Sequence, residues 1–222
     1  METEREIKVK EILKKLDEED RSHTESYISD LKDLVEIDVL TGVYNRRAFD
    51  KAIIREIKIA DRHNQSVSLI LLDVDNFKQI NDSKGHAEGD KVLKAVAQSL
   101  FHGLRPEDME YRLDEEKNLK LHKGLHRYGG EEFAIILENA DKEKAFAVME
   151  RLRKKIKDEC KVTFSAGIVE YKGPPHQSRI LEKDDYEEHC DDIAIKLIHA
   201  SDDGLYEAKN TGKNKVITNE LI

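Results

Sequence analysis

The sequence predicts an α/β protein: a central, mostly antiparallel sheet flanked by helices and preceded by an N-terminal helix. Three observations carry that expectation. Val67, Leu69, Ile70, Leu71 and Leu72 form a short apolar run that Asp73 and Asp75 close, the pattern of a buried strand. Gly129-Gly130 separates Leu125–Tyr128 from an apolar-rich Glu131–Leu137, as the tight turn of a hairpin does. Segments of helical period fall between these strands, which favours helices layered on a sheet.

Taken in order, residues 1 to about 37 read as one helix, rich in Glu, Lys, Leu and Ile and free of Pro and Gly. Val9, Leu13 and Leu16 follow a heptad step, Asp20 and His23 weaken it, and Tyr27, Leu31 and Leu34 resume it one residue out of phase. Two readings stand: a parallel two-helix coiled coil, or a lone solvated helix packed on the domain. Gly42 and Asn45 mark a turn, after which Phe49, Ile53, Ile57 and Ala60 share a helical face. The strand over 66–73 is followed by a loop with Gly85 and Gly89, then by a helix carrying Val92, Leu93, Val96, Ala97 and Leu100. Residues 105–124 are highly charged and read as a loop or peripheral hairpin. Ala145, Val148, Met149, Leu152 and Ile156 give the next helix, and Val162–Tyr171 the next strand. Residues 172–190, with Pro174 and Pro175, read as a polar insertion. Ile193, Leu197, Ala200, Leu205 and Ala208 form a last helix, and Lys215–Thr218 a last short strand.

Composition narrows the function. Of the 222 residues 38% are apolar and 38% charged, and the net charge is −9, which disfavours nonspecific nucleic-acid binding. An acidic protein can still bind nucleotides through divalent cations. Cys160 and Cys190 have no metal-knuckle or redox spacing and read as reduced thiols. No run of about 18 apolar residues suggests a membrane span, and the N-terminus lacks the pattern of a secretion signal, so a cytoplasmic location is expected.

Two features suggest chemistry. Asp73-Val74-Asp75 ends a buried strand, where acidic groups are uncommon unless they serve a site. Glu131-Glu132 follows a glycine turn; in a strand these two point to opposite faces, so they differ in role. If the hairpin lies beside the Asp73 strand, Asp73 and one glutamate converge, and divalent cations would neutralise the cluster. Mg²⁺, a hard cation that completes its shell with phosphates, is the natural occupant. Lys209 and Lys213, near Gly212, add to the case for a nucleotide site.

Five blocks, in order, then resemble the GGDEF domain of diguanylate cyclases over residues 38–218. They are Asp38-x-Leu40-Thr41-Gly42-x-x-Asn45-Arg46, Asp73-x-Asp75-x-Phe77-Lys78-x-Ile80-Asn81-Asp82, Gly85-His86-x-x-Gly89-Asp90, Arg127-Tyr128-Gly129-Gly130-Glu131-Glu132-Phe133, and Tyr206-x-Ala208-Lys209-x-x-Gly212-Lys213-Asn214. The resemblance implies a palm-like nucleotidyl-cyclase fold over 38–222 and condensation of two GTP into cyclic di-GMP. It implies two Mg²⁺ ions, replaceable by Mn²⁺, held by Asp73, the Val74 carbonyl and Glu131. Glu132 would help deprotonate the attacking 3′-hydroxyl or assist the metals. Asn76 and Phe77 would cradle the phosphates with Lys209 and Lys213. Gly129 and Gly130 would let GTP approach, and Asn81 and Asp90 would read guanine.

The resemblance further implies a homodimer with catalytic domains facing antiparallel, and residues 1–37 as the connector to an upstream sensor or regulatory partner. Lys120-Leu121-His122-Lys123 stands where many relatives carry the product-binding Arg-x-x-Asp motif, so that inhibition is expected to be absent. Other readings are a silent domain that binds GTP or cyclic di-GMP, a different nucleotidyl cyclase, and a dimerisation module. The retained carboxylates and glycines, the Asn81/Asp90 pair and the five blocks argue against them in turn.

Overall fold

The structure, a computed structural model, describes residues 36–104, 111–114, 119–122, 124–174 and 183–221. Backbone contacts divide the chain into Met1–Ile37 and Asp38–Ile222. The expected connector helix and its coiled-coil seam lie outside the described residues, apart from Glu36 and Ile37.

In the second unit the elements run α1 (Arg46–His63), β1 (Ser66–Val74), α2 (Phe77–Lys84), α3 (His86–Gly103), β2 (Tyr111–Asp114), β3 (Leu119–His122), β4 (Leu125–Gly129), β5 (Glu132–Glu138), α4 (Lys142–Cys160), β6 (Phe164–Lys172), α5 (Lys183–Asn210) and β7 (Val216–Asn219). Five strands form a sheet in the order β4-β5-β1-β6-β7. All neighbours are antiparallel except β6 and β7. The mostly antiparallel sheet of the sequence reading is thus present, with one parallel pair at its edge.

β1 is central, and eight of its nine residues are buried. The reason lies in its alternation. Ile70, Leu72 and Val74 join one core with Leu93 and Val96 of α3 and Met149 and Leu152 of α4. Val67, Leu69 and Leu71 join a second core with Phe49 and Ile53 of α1 and Leu197 and Leu205 of α5. Both faces of the strand are covered, so it reads as a continuous apolar run. Each such side chain contributes about 1.5–3 kcal/mol when fully buried.

Local signals set the helix starts. The Asn45 side chain accepts from Ala48 N–H at α1, and the Asp141 side chain accepts from Lys144 N–H at α4. The position of α5 is set from inside the sheet. Buried Ser201 accepts Leu71 N–H and donates to Gly167 O, both at 2.9 Å. A Cβ on Gly167 would lie 2.0 Å from Ser201 O, so only glycine admits the helix this close.

Three expectations need correction. The loop with Gly85 and Gly89 is instead two helices meeting at Gly85, and Gly89 lies inside α3. Its glycine serves helix packing: a Cβ there would come within 2.0 Å of Asn81 Oδ1. The last helix begins at Lys183, ten residues before Ile193, so the polar insertion is partly helical. Tyr186 and Cys190 anchor this early part, Cys190 fully buried and the Tyr186 hydroxyl donating to buried Asp61. Finally, Glu131 lies in the turn between β4 and β5, so strict strand alternation does not govern it. The charged region near 105–124 contains the two-stranded β2–β3 hairpin, one of its two expected forms.

Candidate active site

Asp73 continues the β1 alternation onto the face that α1 and α5 cover. Glu132, the first residue of β5, is its direct cross-strand partner and shares that face. The turn residue Glu131 accepts Val74 N–H through its carbonyl at 3.3 Å. Eight residues beyond Ser201, roughly 12 Å along the helix, α5 delivers Lys209. Its Nζ lies 2.9 Å from Asp73 Oδ2.

The electrostatics follow from that crowding. Burial pushes the Asp73 carboxyl up from its ordinary value; Lys209 pulls it back, and Glu131 and Asp75 push it further up. Burial likewise raises Glu132, with Asp73 the next contributor and Asp202 of α5 another. Three carboxylates therefore repel one another at one end of the sheet. That arrangement, with hard oxygen donors from Asp73 and Glu131, suits a divalent cation. A cation, the Lys209 ammonium, already rests against Asp73. Among the described residues no three His, Cys, Asp or Glu side chains are grouped as ligands, so a metal here would draw on backbone or substrate oxygens as well.

Asp75 has a different task from Asp73. Its Oδ1 accepts the Ser165 hydroxyl at 2.7 Å, and its Oδ2 accepts the Thr163 hydroxyl at 2.6 Å and Asn214 N–H at 2.9 Å. It thereby ties the turn after α5 to the end of β1. In that turn Gly212, Lys213 and Asn214 all have positive φ, at 114°, 61° and 48°. Lys213 Nζ reaches Asn76 Oδ1 at 2.7 Å.

Asn76, at φ 59° and ψ 24°, opens α2, and no side chain caps that helix start. The first amides of a helix lack intrahelical partners and face the positive end of its dipole, a setting suited to phosphate. Phe77, the first residue of α2, is buried. Asn81 of α2 lies against Gly89 of α3, and the exposed Asp90 follows it in sequence. Sequence-distant Asp73, Glu131, Glu132 and Lys209 are thus brought together, as are Asn76 and Lys213. Asn81 and Asp90 sit at the α2–α3 junction.

At the glycine turn, Gly130 has φ 39°, which favours glycine. Gly129 is different: a Cβ there would meet only Glu132 Oε2, at an ordinary 3.5 Å. The protein's own packing does not require glycine at 129.

Asp38 and Arg127 stand in the first and fourth motif blocks and acquire a task only in the fold. The Arg127 guanidinium bonds Asp38 Oδ1 and Oδ2 at 3.0 and 3.1 Å and donates twice to Gly130 O, at 3.0 and 2.8 Å. It clamps the glycine turn to the start of the domain. Burial pushes the Asp38 carboxyl up, but hydrogen bonds from Thr41 and Arg127 outweigh it and hold it below the usual range. Opposite charges in two separate motif blocks were the available signal. Ser201, a lone serine in a helix, offered none. A cavity of about 440 Å³ lies elsewhere, between α5 and β7, and contains none of the expected site residues.

By architecture the second unit is an α/β sandwich with an acidic, lysine-capped site at one end of its sheet. The chain belongs to the GGDEF family: the family described as "Diguanylate cyclase, GGDEF domain" matches residues 35–119 and 116–215. It is similar to the diguanylate cyclase DosC of Escherichia coli K12, 31% identical over 191 residues. That match covers 82% of this chain but 35% of DosC, so the chain spans about a third of that relative. The coiled coil and GGDEF domain of DgcB from Caulobacter crescentus, in complex with c-di-GMP, shares the fold at TM-score 0.68 and 22% identity, covering 89% of this chain and 92% of that one. The active GGEEF domain of a diguanylate cyclase from Vibrio cholerae matches at TM-score 0.57 and 29% identity, covering 79% of this chain and 96% of that one.

Proposed function

We propose that this protein condenses two GTP into cyclic di-GMP, releasing two pyrophosphates. Each catalytic domain holds one GTP, and two domains face each other antiparallel. The 3′-hydroxyl of each nucleotide attacks the α-phosphate of the other. The convergence of Asp73, Glu131, Glu132 and Lys209 beside the glycine turn is the observation that carries this reading.

Asp73, the Val74 carbonyl and Glu131 would hold Mg²⁺, two ions per site with Mn²⁺ able to substitute, which stabilises charge on the attacking and leaving oxygens. Glu132, raised by burial and by its neighbours, is suited to accept or orient the 3′-hydroxyl proton. Lys209, Lys213 and the start of α2 bind the triphosphate. Asp90 accepts hydrogen bonds from the guanine N1–H and exocyclic amine, and Asn81 supports it. Gly129 lets the nucleotide approach. Most of the rate then comes from positioning and electrostatics. Parallel pairing of residues 7–35, which lie outside the described residues, would raise the effective concentration of catalytic domains.

The test is incubation of the whole chain with GTP and Mg²⁺, followed by mass spectrometry of the product. Cyclic di-GMP is expected, and Glu131→Ala is expected to abolish it while leaving the melting temperature nearly unchanged. A dimeric protein that binds GTP yet forms no cyclic product would instead be a receptor.

A further inference from the structure

The two lysines assigned to the triphosphate are both held by partners inside the site. Lys209 Nζ is 2.9 Å from Asp73 Oδ2, and Lys213 Nζ is 2.7 Å from Asn76 Oδ1. The two pairs differ in kind. Asn76 is neutral, so Lys213 there is a positioned donor with its full charge directed at the phosphate corner. Asp73 is a carboxylate that is largely buried and crowded by Glu131 and Asp75. Lys209 there is a counter-cation, and it lies against an oxygen that a divalent ion would need.

Resting on the reading above, we propose that Lys209 is a built-in competitor for the metal site, so that free metal binds weakly and metal and nucleotide enter together. The driving force is an exchange of partners. Without nucleotide, an incoming divalent ion must displace the ammonium or bind beside it, with like charges a few ångströms apart. A triphosphate offers Lys209 a stronger anionic partner on the same side of the sheet. The ammonium moves to it, and the Asp73 carboxylate is released.

The exchange has little freedom to fail geometrically. Ser201 pins α5 to β1 and β6, so the Lys209 Cα is fixed and only its side chain swings. By linkage, nucleotide then raises metal affinity by the same factor as metal raises nucleotide affinity. Lys209 is in this sense a positioning residue for the order of binding as well as a phosphate ligand.

The test measures metal binding to the full chain without nucleotide, by calorimetry with Mg²⁺ and by electron paramagnetic resonance with Mn²⁺. Lys209→Met is expected to tighten binding of the metal alone by about tenfold, the scale of one charge repulsion at close range in a solvated site. Lys209→Gln, of similar length and neutral, is expected to do the same. Lys213→Met removes an equal charge from the same region without touching Asp73, and it is expected to change metal binding far less. Unchanged metal affinity in both Lys209 variants, or equal tightening by Lys213→Met, would overturn the inference. Product analysis keeps the two readings apart. Wild-type protein that makes cyclic di-GMP while Lys209→Met leaves metal affinity unchanged refutes only the competition. Tightened metal binding without any cyclic product refutes only the cyclase reading.

Discussion

Asp73 and Asp75 sit two positions apart and have little in common in function. Asp75 spends its acceptors on Thr163, Ser165 and Asn214, all within the protein. Asp73 has Lys209 and otherwise like-charged neighbours. His126 is another residue whose role only its surroundings define. It is 1% exposed, packs against Tyr44 and Phe49, and its Nδ1 has no hydrogen-bond partner. Burial pulls its pKa from 6.5 down to about 4. The charged form is disfavoured in the fold, so the unfolded chain takes up the proton first. Stability from this group is therefore complete above about pH 6.5 and declines as pH falls toward about 4, by roughly 3 kcal/mol over the whole window. Melting temperatures measured from pH 7 to pH 4.5 should show this slope, and His126→Gln should flatten it. An equal slope in the variant would remove His126 as its source.

At the scale of elements, the α2–α3 junction is where packing meets the proposed reading of guanine. A methyl group at Gly89 would collide with the Asn81 carboxamide and crowd Phe77 Cζ at 3.1 Å. Alanine also gains up to about 1 kcal/mol of helix propensity over glycine. Gly89→Ala should therefore change the melting temperature little, while its displacement of Asn81 raises the KM for GTP about tenfold, the value of one hydrogen bond. An unchanged KM would separate Asn81 from guanine reading. The β2–β3 hairpin supports a second expectation. Lys120, Leu121 and His122 occupy β3, where an Arg-x-x-Asp motif would otherwise fall. Micromolar cyclic di-GMP should leave the rate unchanged; a sharp fall in rate, with product binding mapped to Lys120–Lys123, would refute this.

For the whole molecule, the proposed condensation needs two sites, so its rate would depend on how often two domains meet. A chain beginning at Asp38 should match the full chain at high protein concentration and fall behind it on dilution. Equal activity at every concentration would show that residues 7–35 contribute nothing to association.

The sequence by itself determined the buried β1 strand, the hairpin, most of the helices and the family, because these depend on local periodicity and on short motifs. It also named Asp73, Glu131, Glu132, Lys209 and Lys213 as candidates. Only the tertiary structure decided how they meet. Register across β1 and β5 placed Glu132 opposite Asp73, and the Ser201 bridge set α5 so that Lys209 reached the same carboxylate. It also placed Gly89 inside a helix and gave Asp38 and Arg127 their clamp on the glycine turn. Those facts rest on contacts between residues far apart in the chain. Spacing along a sequence carries periodicity, but not the separation of two side chains that meet across a sheet.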